Sequence, residues 1–242
     1  TMATKAGCIG MTGTNARPSV APTLGVEGMF GTNPFTLGVP TDEEFDFNFD
    51  CATSITQNGK VEYYERIGEE IHPGTVIDTD GSPVEGDAGV ALRKIRGGTA
   101  ALTTLGGIGE ALGGYKGYGF ALFVEFLSSV LQDGAYGKDL DGKDENGNIR
   151  PYQLGHFFIA IDTNHFLGED ICRKKAGDIL RSMRASKKAP GEERIYTAGE
   201  KEYEIWLQRK DTGVPINESV QKEMNAVRDS LKLDYVFPWD NA

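Results

Sequence analysis

Glycine is the residue that most restricts how this chain can fold. It supplies 32 of the 242 residues, about twice the ordinary share of ~7%. Glycine is favoured where the backbone turns tightly or where two backbone segments approach closely. The sequence therefore predicts many tight turns and close approaches, and its densest run of glycines lies within residues 97–119.

Size, charge and cysteine content exclude several classes of protein. The length suits one large domain or two small ones. A formal net charge of −11 repels phosphate and anionic lipid, so we expect neither nucleic acid nor a membrane surface as a partner. The longest nearly uncharged stretch, 97–130, still carries charged residues and is not a membrane span. Cys8, Cys51 and Cys172 are odd in number and far apart, which disfavours a disulfide framework or a zinc knuckle and favours a reducing compartment.

Short apolar runs bounded by turn residues predict β-strands. One of them alternates apolar and polar side chains, which is typical of a half-buried strand whose residues Phe45, Phe47 and Phe49 face the core. The last run combines β-branched and aromatic residues and is expected to be a central strand. The predicted strands lie at 8–11, 34–40, 45–50 and 156–162.

Helical periodicity is clearest after the glycine-rich segment, where apolar residues recur every three or four positions. We expect this helix to be the most buried one in the chain. Asn217 is the expected N-cap of the last helix, since its side chain can accept a backbone hydrogen bond. The predicted helices lie at 118–131, 168–186, 200–210 and 217–231.

Three further segments are rich in turn-forming or charged residues. Residues 57–60 suit the turn of a hairpin, but residues 60–68 also suit a short charged helix, and both alternatives stay open. Residues 71–83 contain prolines and an Asp-Gly pair, which predict loop and turn structure. Residues 139–151 are rich in Asp, Gly and Asn and are expected to form a loop exposed to solvent.

Two segments combine features that suit a ligand site. Lys116 stands among glycines at an expected helix start, where uncovered backbone N–H groups and the helix dipole attract negative charge. This corner suits an anionic or amide-bearing ligand; alternatively, it is a flexible turn with a solvated lysine. Asp50 is followed by small residues at a strand end. Such an acid orients a histidine or bonds a ligand, or it merely caps a turn.

Several familiar catalytic motifs are absent from the sequence. The run 107–113 has GxGxxxG spacing instead of the dinucleotide-binding GxGxxG, and no suitable strand precedes it. There is no GxxxxGK[ST] phosphate loop and no HExxH zinc helix. His72, His156 and His165 have no partners at metal-ligand spacing and are assigned structural or surface roles. We therefore expect no metal site.

Five short blocks stand in a characteristic order along nearly the whole chain. They are Gly31-Thr32-Asn33-Pro34, Asp50-Cys51-Ala52-Thr53-Ser54, Ile71-His72-Pro73-Gly74 with Asp78 and Gly81, Tyr115-Lys116-Gly117-Tyr118-Gly119, and Ala198-Gly199-Glu200. Their order and near spacing resemble those of the type-2 malate/lactate dehydrogenase family. This family includes malate, sulfolactate and ureidoglycolate dehydrogenases and a cyclic-imine reductase.

The resemblance implies a mixed α/β fold with a largely antiparallel central sheet flanked by helices, unlike the Rossmann fold. It also implies NAD or NADP as cofactor and a homodimer in the cytoplasm. Asp50 is the candidate catalytic residue within this chain, and we expect Asp50 and Lys116 to line one pocket. The implied cofactor contacts are Asp50, Cys51 and Ala52 (the D-x-A block), Lys116 and Gly117 (the K-G block), and, as a weaker third contact, Gly199 and Glu200.

The resemblance also implies a substrate-side loop at residues 14–18, with substrate contacts by Asn15 and Ala16. Many members of the family have serine where this chain has Ala16, so a hydroxyl contact to substrate is missing here. The implied reaction is oxidation of a 2-hydroxy acid to the 2-oxo acid. Malate to oxaloacetate is the first expectation, and ureidoglycolate or lactate are the alternatives.

Family members carry the acid/base histidine and the carboxylate-binding arginine in an upstream segment that has no counterpart in this sequence. A truncated chain is therefore expected, with residues 1–242 as its cofactor-binding and dimerisation portion. Residues 217–242 are expected to pack back on the absent N-terminal domain. One alternative is a catalytically silent cofactor-binding or dimerisation module, and another is a purely structural mixed α/β protein.

Overall fold

The computed structural model describes residues 1–144 and 146–241. The chain divides into two compact units, one from Thr1 to Lys201 and one from Glu202 onward. The strands are β1 (Cys8–Thr14), β2 (Phe35–Val39), β3 (Phe47–Cys51), β4 (Glu70–Ile71), β5 (Val76–Asp78), β6 (Gly86–Asp87), β7 (Ala100–Leu102) and β8 (His156–Asp162). The helices are α1 (Met2–Lys5), α2 (Asn58–Ile67), α3 (Ala88–Arg96), α4 (Gly114–Ser129), α5 (Glu169–Arg184), α6 (Glu200–Arg209) and α7 (Glu218–Ser230).

The main sheet has the strand order β3-β2-β1-β8, and all of its pairings are antiparallel. Helices cover both of its faces. Gly10 and Gly38 pair with each other and leave room for α1, whereas Phe35 and Phe157 contact the aromatic side chains of α4. Because neighbouring residues of a strand point to opposite faces, these contacts place α1 and α4 on opposite sides. The predicted mixed α/β fold with an antiparallel sheet is confirmed.

The prediction of a central strand at 156–162 is wrong in one respect. The strand exists as β8, but it lies at the edge of the main sheet and pairs with β1 alone among the described strands. Its side chains are mostly exposed, and Phe158 is 80% exposed. β-branched and aromatic residues favour strands at edges and centres alike, so composition could not distinguish the two positions.

The apolar core of the first unit lies beside the main sheet. It is built from residues of α2, α3, β5 and β7, and its fully buried members include Val61, Val76, Leu92 and Leu102. The short strands β4 and β5 fall within or next to residues 71–83, so the expectation of loop structure alone is wrong there. Helix α3 was not predicted; its N-cap, Asp87, accepts a hydrogen bond from Val90 N at 2.8 Å.

Helix α4 begins four residues earlier than predicted, and most of its buried residues are small. Small residues make its closest contacts, and the buried face includes Gly117, Ala121, Val124 and Ser128. Among the described helices, α4 has the most buried residues, in agreement with the expectation, although Phe120 is half exposed and other aromatic side chains of the helix are exposed too. Small residues at spacings of three and four allow the backbone to pack closely.

The remaining helices follow the sequence closely. Segment 58–67 is helical, and Gly68 ends it in the left-handed conformation with φ 71°. Helices α5, α6 and α7 confirm the three C-terminal predictions. The N-cap prediction is also confirmed, because Asn217 Oδ1 accepts a hydrogen bond from Val220 N at 3.0 Å. In the described residues no helix has the length and apolarity that crossing a membrane requires.

The segment 139–151 is a loop, as predicted, but it is not wholly exposed. Leu140 is completely buried, and Lys143 and Ile149 form a β-bridge. The ring of Tyr152 covers Gly142 so closely that a Cβ there would overlap the ring. Glu145 lies outside the described residues.

Candidate functional site

The segments predicted to bind a cofactor are arranged around β3. Asp50 is exposed near the end of this strand, opposite Thr36 of β2. The chain then turns inward at Thr53, which is fully buried. Its hydroxyl donates hydrogen bonds to the carbonyl oxygens of Thr32 at 3.0 Å and Asn33 at 3.1 Å. These bonds fix the end of the D-x-A block against the block at 31–34.

The backbone of Leu105 joins the D-x-A block to the K-G block. Leu105 N donates to Thr53 O at 2.9 Å. Gly117 packs directly against Leu105. A Cβ on Gly117 would lie 2.5 Å from Leu105 N and would overlap Leu105 O. The two blocks, far apart in sequence, therefore approach the same stretch of backbone. A shared pocket for the side chains of Asp50 and Lys116 stays a prediction.

The glycines before α4 pack the loop against the helix start. A Cβ on Gly114 would lie 2.5 Å from Gly107 O, and Thr104 Oγ1 donates to Gly114 O at 2.9 Å. The GxGxxxG spacing of this segment thus has a packing explanation. Gly113 caps the helix with φ 84°, and no side chain of the described residues makes a capping hydrogen bond there. Lys116 is exposed beside them, so both interpretations of this lysine remain open.

The third block lies beside the start of β3. Ala198 O accepts a hydrogen bond from Asn48 N at 3.2 Å. Gly199 has φ 91°, and a Cβ on it would lie 3.1 Å from Asp46 O. The backbone of this block therefore approaches the strand that carries Asp50, two positions beyond Asn48.

Glu200 is almost completely buried and is held by protein groups. Thr197 donates to it through its backbone nitrogen at 2.9 Å and its hydroxyl at 3.0 Å. Arg194 also binds the carboxylate, and Arg184 Nη1 lies 3.5 Å from Oε2. Although burial opposes ionisation, these hydrogen bonds and the Arg184 charge hold the pKa of Glu200 below its ordinary range. Its role toward a cofactor stays a prediction.

The substrate-side loop is fixed by a buried polar network. Asn15 is completely buried; its Oδ1 accepts from Gly155 N at 2.8 Å, and its Nδ2 donates to Ala135 O at 3.0 Å. Ala16 is half-buried, and its N–H donates to Asn33 Oδ1 at 3.1 Å. Both ends of the Asn15 side chain are thus engaged by protein. The assignment of Asn15 and Ala16 to substrate stays a prediction.

Glu125 is the centre of this network and was not predicted as a functional residue. It is 5% exposed on α4. Its oxygens accept from Asn33 Nδ2 at 2.6 Å, from Gly137 N at 2.9 Å and from Asn15 Nδ2 at 3.5 Å. The sequence signal was a single carboxylate within the apolar run of a helix, because a buried acid needs hydrogen-bond donors around it.

A polar cleft of about 570 Å³ opens at the substrate-side loop. Ala16, Arg17 and Thr32 line one part of it, and the start of α2 and Asp141 of the 139–151 loop line other parts. A second cavity, of about 200 Å³, lies between residues 21–26 and the glycine loop 107–109 and is lined mainly by apolar residues. The first cleft is therefore the candidate substrate site.

The cysteine beside Asp50 and the histidines offer little chemistry. Burial and the negative charge of Asp50 raise the pKa of the Cys51 thiol, so this thiol is protonated at neutral pH. His72 packs edge-on against Tyr64, and His165 Nδ1 lies 3.2 Å from Asp162. Within residues 1–144 and 146–241, no three Cys, His, Asp or Glu side chains group as a metal site.

The fold and these contacts define a mixed α/β protein in which three of the sequence blocks are joined through backbone contacts near one strand of an antiparallel sheet. The sequence profile of the malate/L-lactate dehydrogenase family matches residues 1–225. The chain belongs to this family, as the five sequence blocks predicted.

Individual relatives agree with this assignment. The malate dehydrogenase of Pyrococcus horikoshii is 38% identical over 226 residues, covering 93% of this chain and 60% of that protein. The L-sulfolactate dehydrogenase of Methanocaldococcus jannaschii is 30% identical, covering 94% and 61%. The crystal structure of malate dehydrogenase from Entamoeba histolytica superimposes with a TM-score of 0.90 at 39% identity, covering 98% and 64%. This chain thus spans about 60% of the length of the curated relatives it matches.

Proposed function

We propose that this protein is a nicotinamide-dependent oxidoreductase that interconverts a 2-hydroxy acid and the corresponding 2-oxo acid, with malate and oxaloacetate as the first pair. The observation that carries the proposal is the meeting of the D-x-A and K-G blocks at the backbone of Leu105. Relatives named as malate and sulfolactate dehydrogenases support the same substrate class.

The residues around β3 fit a dinucleotide. The start of α4, which no described side chain caps, and the Lys116 ammonium suit phosphate oxygens. Ser54 Oγ and Asn48 Oδ1 are buried and have no hydrogen-bond partner among the described residues, which leaves polar atoms beside two of the blocks. When bound, NAD or NADP supplies the chemistry of accepting or donating a hydride.

The residues of this chain then bind and orient the cofactor and the substrate. The exposed Asp50 carboxylate accepts a hydrogen bond from a hydroxyl or orients a base, and the half-buried Cys51 and Ala52 follow it at the strand end. Gly117 and Gly199 pack against Leu105 and Asp46 and so hold their blocks in position. In the forward reaction the substrate loses a hydride from the carbon that bears its hydroxyl and loses the hydroxyl proton to a general base. Ala16 contributes only its backbone and methyl group.

A second candidate is a cofactor-binding or dimerisation module without catalysis. It is favoured by the positions of the three histidines, since His72 packs against Tyr64, while His156 and His165 are exposed on or just after the edge strand. Asp50 is then the one acid/base candidate along β3. Lactate and ureidoglycolate are the alternative substrates of the catalytic proposal. We also propose a homodimer and a location in the cytoplasm, and the free thiols support the location.

Cofactor binding and turnover separate these candidates. We expect calorimetric titration of the purified protein to show binding of NADH or NADPH, and Lys116→Ala to weaken it by about 1–3 kcal/mol. Lys188→Ala removes an exposed lysine elsewhere and is the matched control. Steady-state assays with malate, lactate and ureidoglycolate then test catalysis. Binding without turnover of any acid supports the module, and failure to bind either cofactor contradicts both proposals.

A further inference from the structure

Of the two arginines that line the cleft at the substrate-side loop, one forms no ion pair with any described residue. Among the described residues, Arg17 makes no ion pair; Arg96, the other arginine in the cleft, is paired with Glu62 at 2.8 Å. The acidic group Asp141 also lines the cleft and accepts from Lys143 N at 2.8 Å. Arg17 is therefore the group in this cleft that is available to a negatively charged ligand.

The guanidinium of Arg17 is held in place by Tyr152. Its Nη1 donates to the Tyr152 hydroxyl at 3.2 Å, and its Cζ lies 5.2 Å from the centre of the ring. The ring is itself seated against Gly142. A cation over an aromatic face is restricted without being neutralised, so the other N–H groups of Arg17 keep their charge and their fork geometry for a ligand.

We propose that Arg17 selects substrates that carry a second anionic group, so that dianionic 2-hydroxy acids with a carboxylate or sulfonate beyond the hydroxyl-bearing carbon are preferred over monoanionic ones. A guanidinium matches the two oxygens of such a group in a bidentate arrangement. The positive charge of Arg17 contrasts with the formal net charge of the protein, which is −11. This inference rests on the proposed function and specifies its substrate class.

Asn58 supports the cleft as a recognition site. It also lines the cleft, at the start of α2, and its Oδ1 has no hydrogen-bond partner in the described part of the chain. A buried acceptor without a partner is costly unless a ligand donates to it. This unpartnered atom is buried in the wall of the cleft, and Arg17 is the group that the cleft presents to an anionic ligand.

The test compares malate with lactate, which differ by the second carboxylate. For the purified protein with its preferred cofactor, we expect Arg17→Ala to lower kcat/KM for malate by about 10- to 100-fold, mainly through KM, and for lactate by less than about 3-fold. Tyr152→Phe keeps the ring and should give a smaller loss of the same kind. Arg93→Ala, which removes an exposed arginine of α3 outside the cleft, is the control and should leave the malate-to-lactate ratio unchanged.

Two outcomes separate the inference from the proposed function. If Arg17→Ala lowers kcat/KM equally for malate and lactate, or changes it for neither, the selectivity inference is wrong while the dehydrogenase proposal stands. If the wild-type protein turns over neither acid, the dehydrogenase proposal fails. Calorimetric titration with malate and with lactate then decides about Arg17, because tighter binding of malate that disappears in Arg17→Ala supports the inference and equal binding overturns it.

Discussion

At the scale of single residues, Glu125 connects more of the candidate site than any predicted residue. Its carboxylate holds two asparagine side chains and a backbone N–H, and these hold Ala16 and Gly155 in turn. No cation takes part in this set of contacts. Because buried carboxylates need donors, the fixed geometry of the substrate-side loop depends on this one oxygen pair.

Replacing Glu125 by glutamine tests this dependence. Backbone donors fix the Oδ1 atoms of Asn15 and Asn33, so neither amide can turn over to suit a new donor. The glutamine NH₂ therefore meets an N–H group, and we expect a loss of about 1–3 kcal/mol in the free energy of unfolding. Urea denaturation measures it.

Glu110→Gln is the matched control for this substitution, because Glu110 is exposed. Its effect should stay within about 0.5 kcal/mol. Equal stability of the two variants would show that the network contributes nothing to the fold.

The sequence could reveal some of these residues and not their contacts. Asn15, Asp50 and Lys116 lie in blocks with recognisable order, so family resemblance identified them. Glu125 lies 110 residues from Asn15 and 92 residues from Asn33 in the chain. Local patterns carry no information on such pairings, and the acid was visible only as an interruption of an apolar run.

At the scale of elements, close backbone approach explains why α4 begins with so many glycines. Gly117 faces Leu105 without space for a Cβ, whereas Gly119 on the same helix has no atom within 4 Å of the Cβ position. Two glycines two positions apart therefore have opposite environments. Gly117 is required by packing, whereas Gly119 lowers the stability of the helix without a packing reason.

Alanine substitutions at these two positions should change stability in opposite directions. Gly117→Ala forces the helix away from Leu105, and we expect a loss of about 1–3 kcal/mol. Gly119→Ala removes the entropic cost of a helical glycine, and we expect a gain of about 0.5–1 kcal/mol. Thermal unfolding of both variants measures the difference. The same sign for both would contradict the packing described for α4.

Helix α5 fastens the segment that precedes β3. Arg173 donates to Thr41 O at 3.2 Å and to Thr4 O at 3.0 Å, and Arg181 bonds Asp42 at 2.9 Å. Hydrogen bonds from Arg181, together with Lys174, lower the pKa of Asp178 to about 2. At its C-terminal end, Arg184 lies next to Glu200. This row of arginines makes part of the structure sensitive to acid.

Glu200 should therefore contribute to the pH dependence of stability. Its pKa is lowered in the folded state, so its contribution is present above about pH 4.5, its ordinary value, and is lost as the pH falls through the lower folded-state pKa. Glu200→Gln should be less stable than the wild type at neutral pH and should lose less stability on acidification. Denaturation midpoints at several pH values measure this, and an unchanged acid-dependent loss would contradict it.

At the scale of the whole molecule, the sequence predicted element types better than their arrangement. Periodicity found β3 and α4, capping and terminating residues pointed to C-terminal helices, and family resemblance supplied the antiparallel sheet. The short strands β4 and β5 have two and three residues, too few to show a period. The exposure of β8 and of the α4 aromatic side chains depends on neighbours distant in sequence, so apolar composition alone placed both in the interior.

The open edge of β8 has a consequence for hydrogen exchange. In an antiparallel pair, alternate N–H groups of an edge strand bond the neighbour while the others face solvent. We expect amide deuterium uptake along 156–162 to alternate between slow and fast residues. Residues 10–13 of β1, which pair with β2 on one side and β8 on the other, should be slow throughout. Uniformly slow exchange in β8 would instead mean that a second polypeptide adds a strand at this edge and that the sheet continues across a subunit boundary.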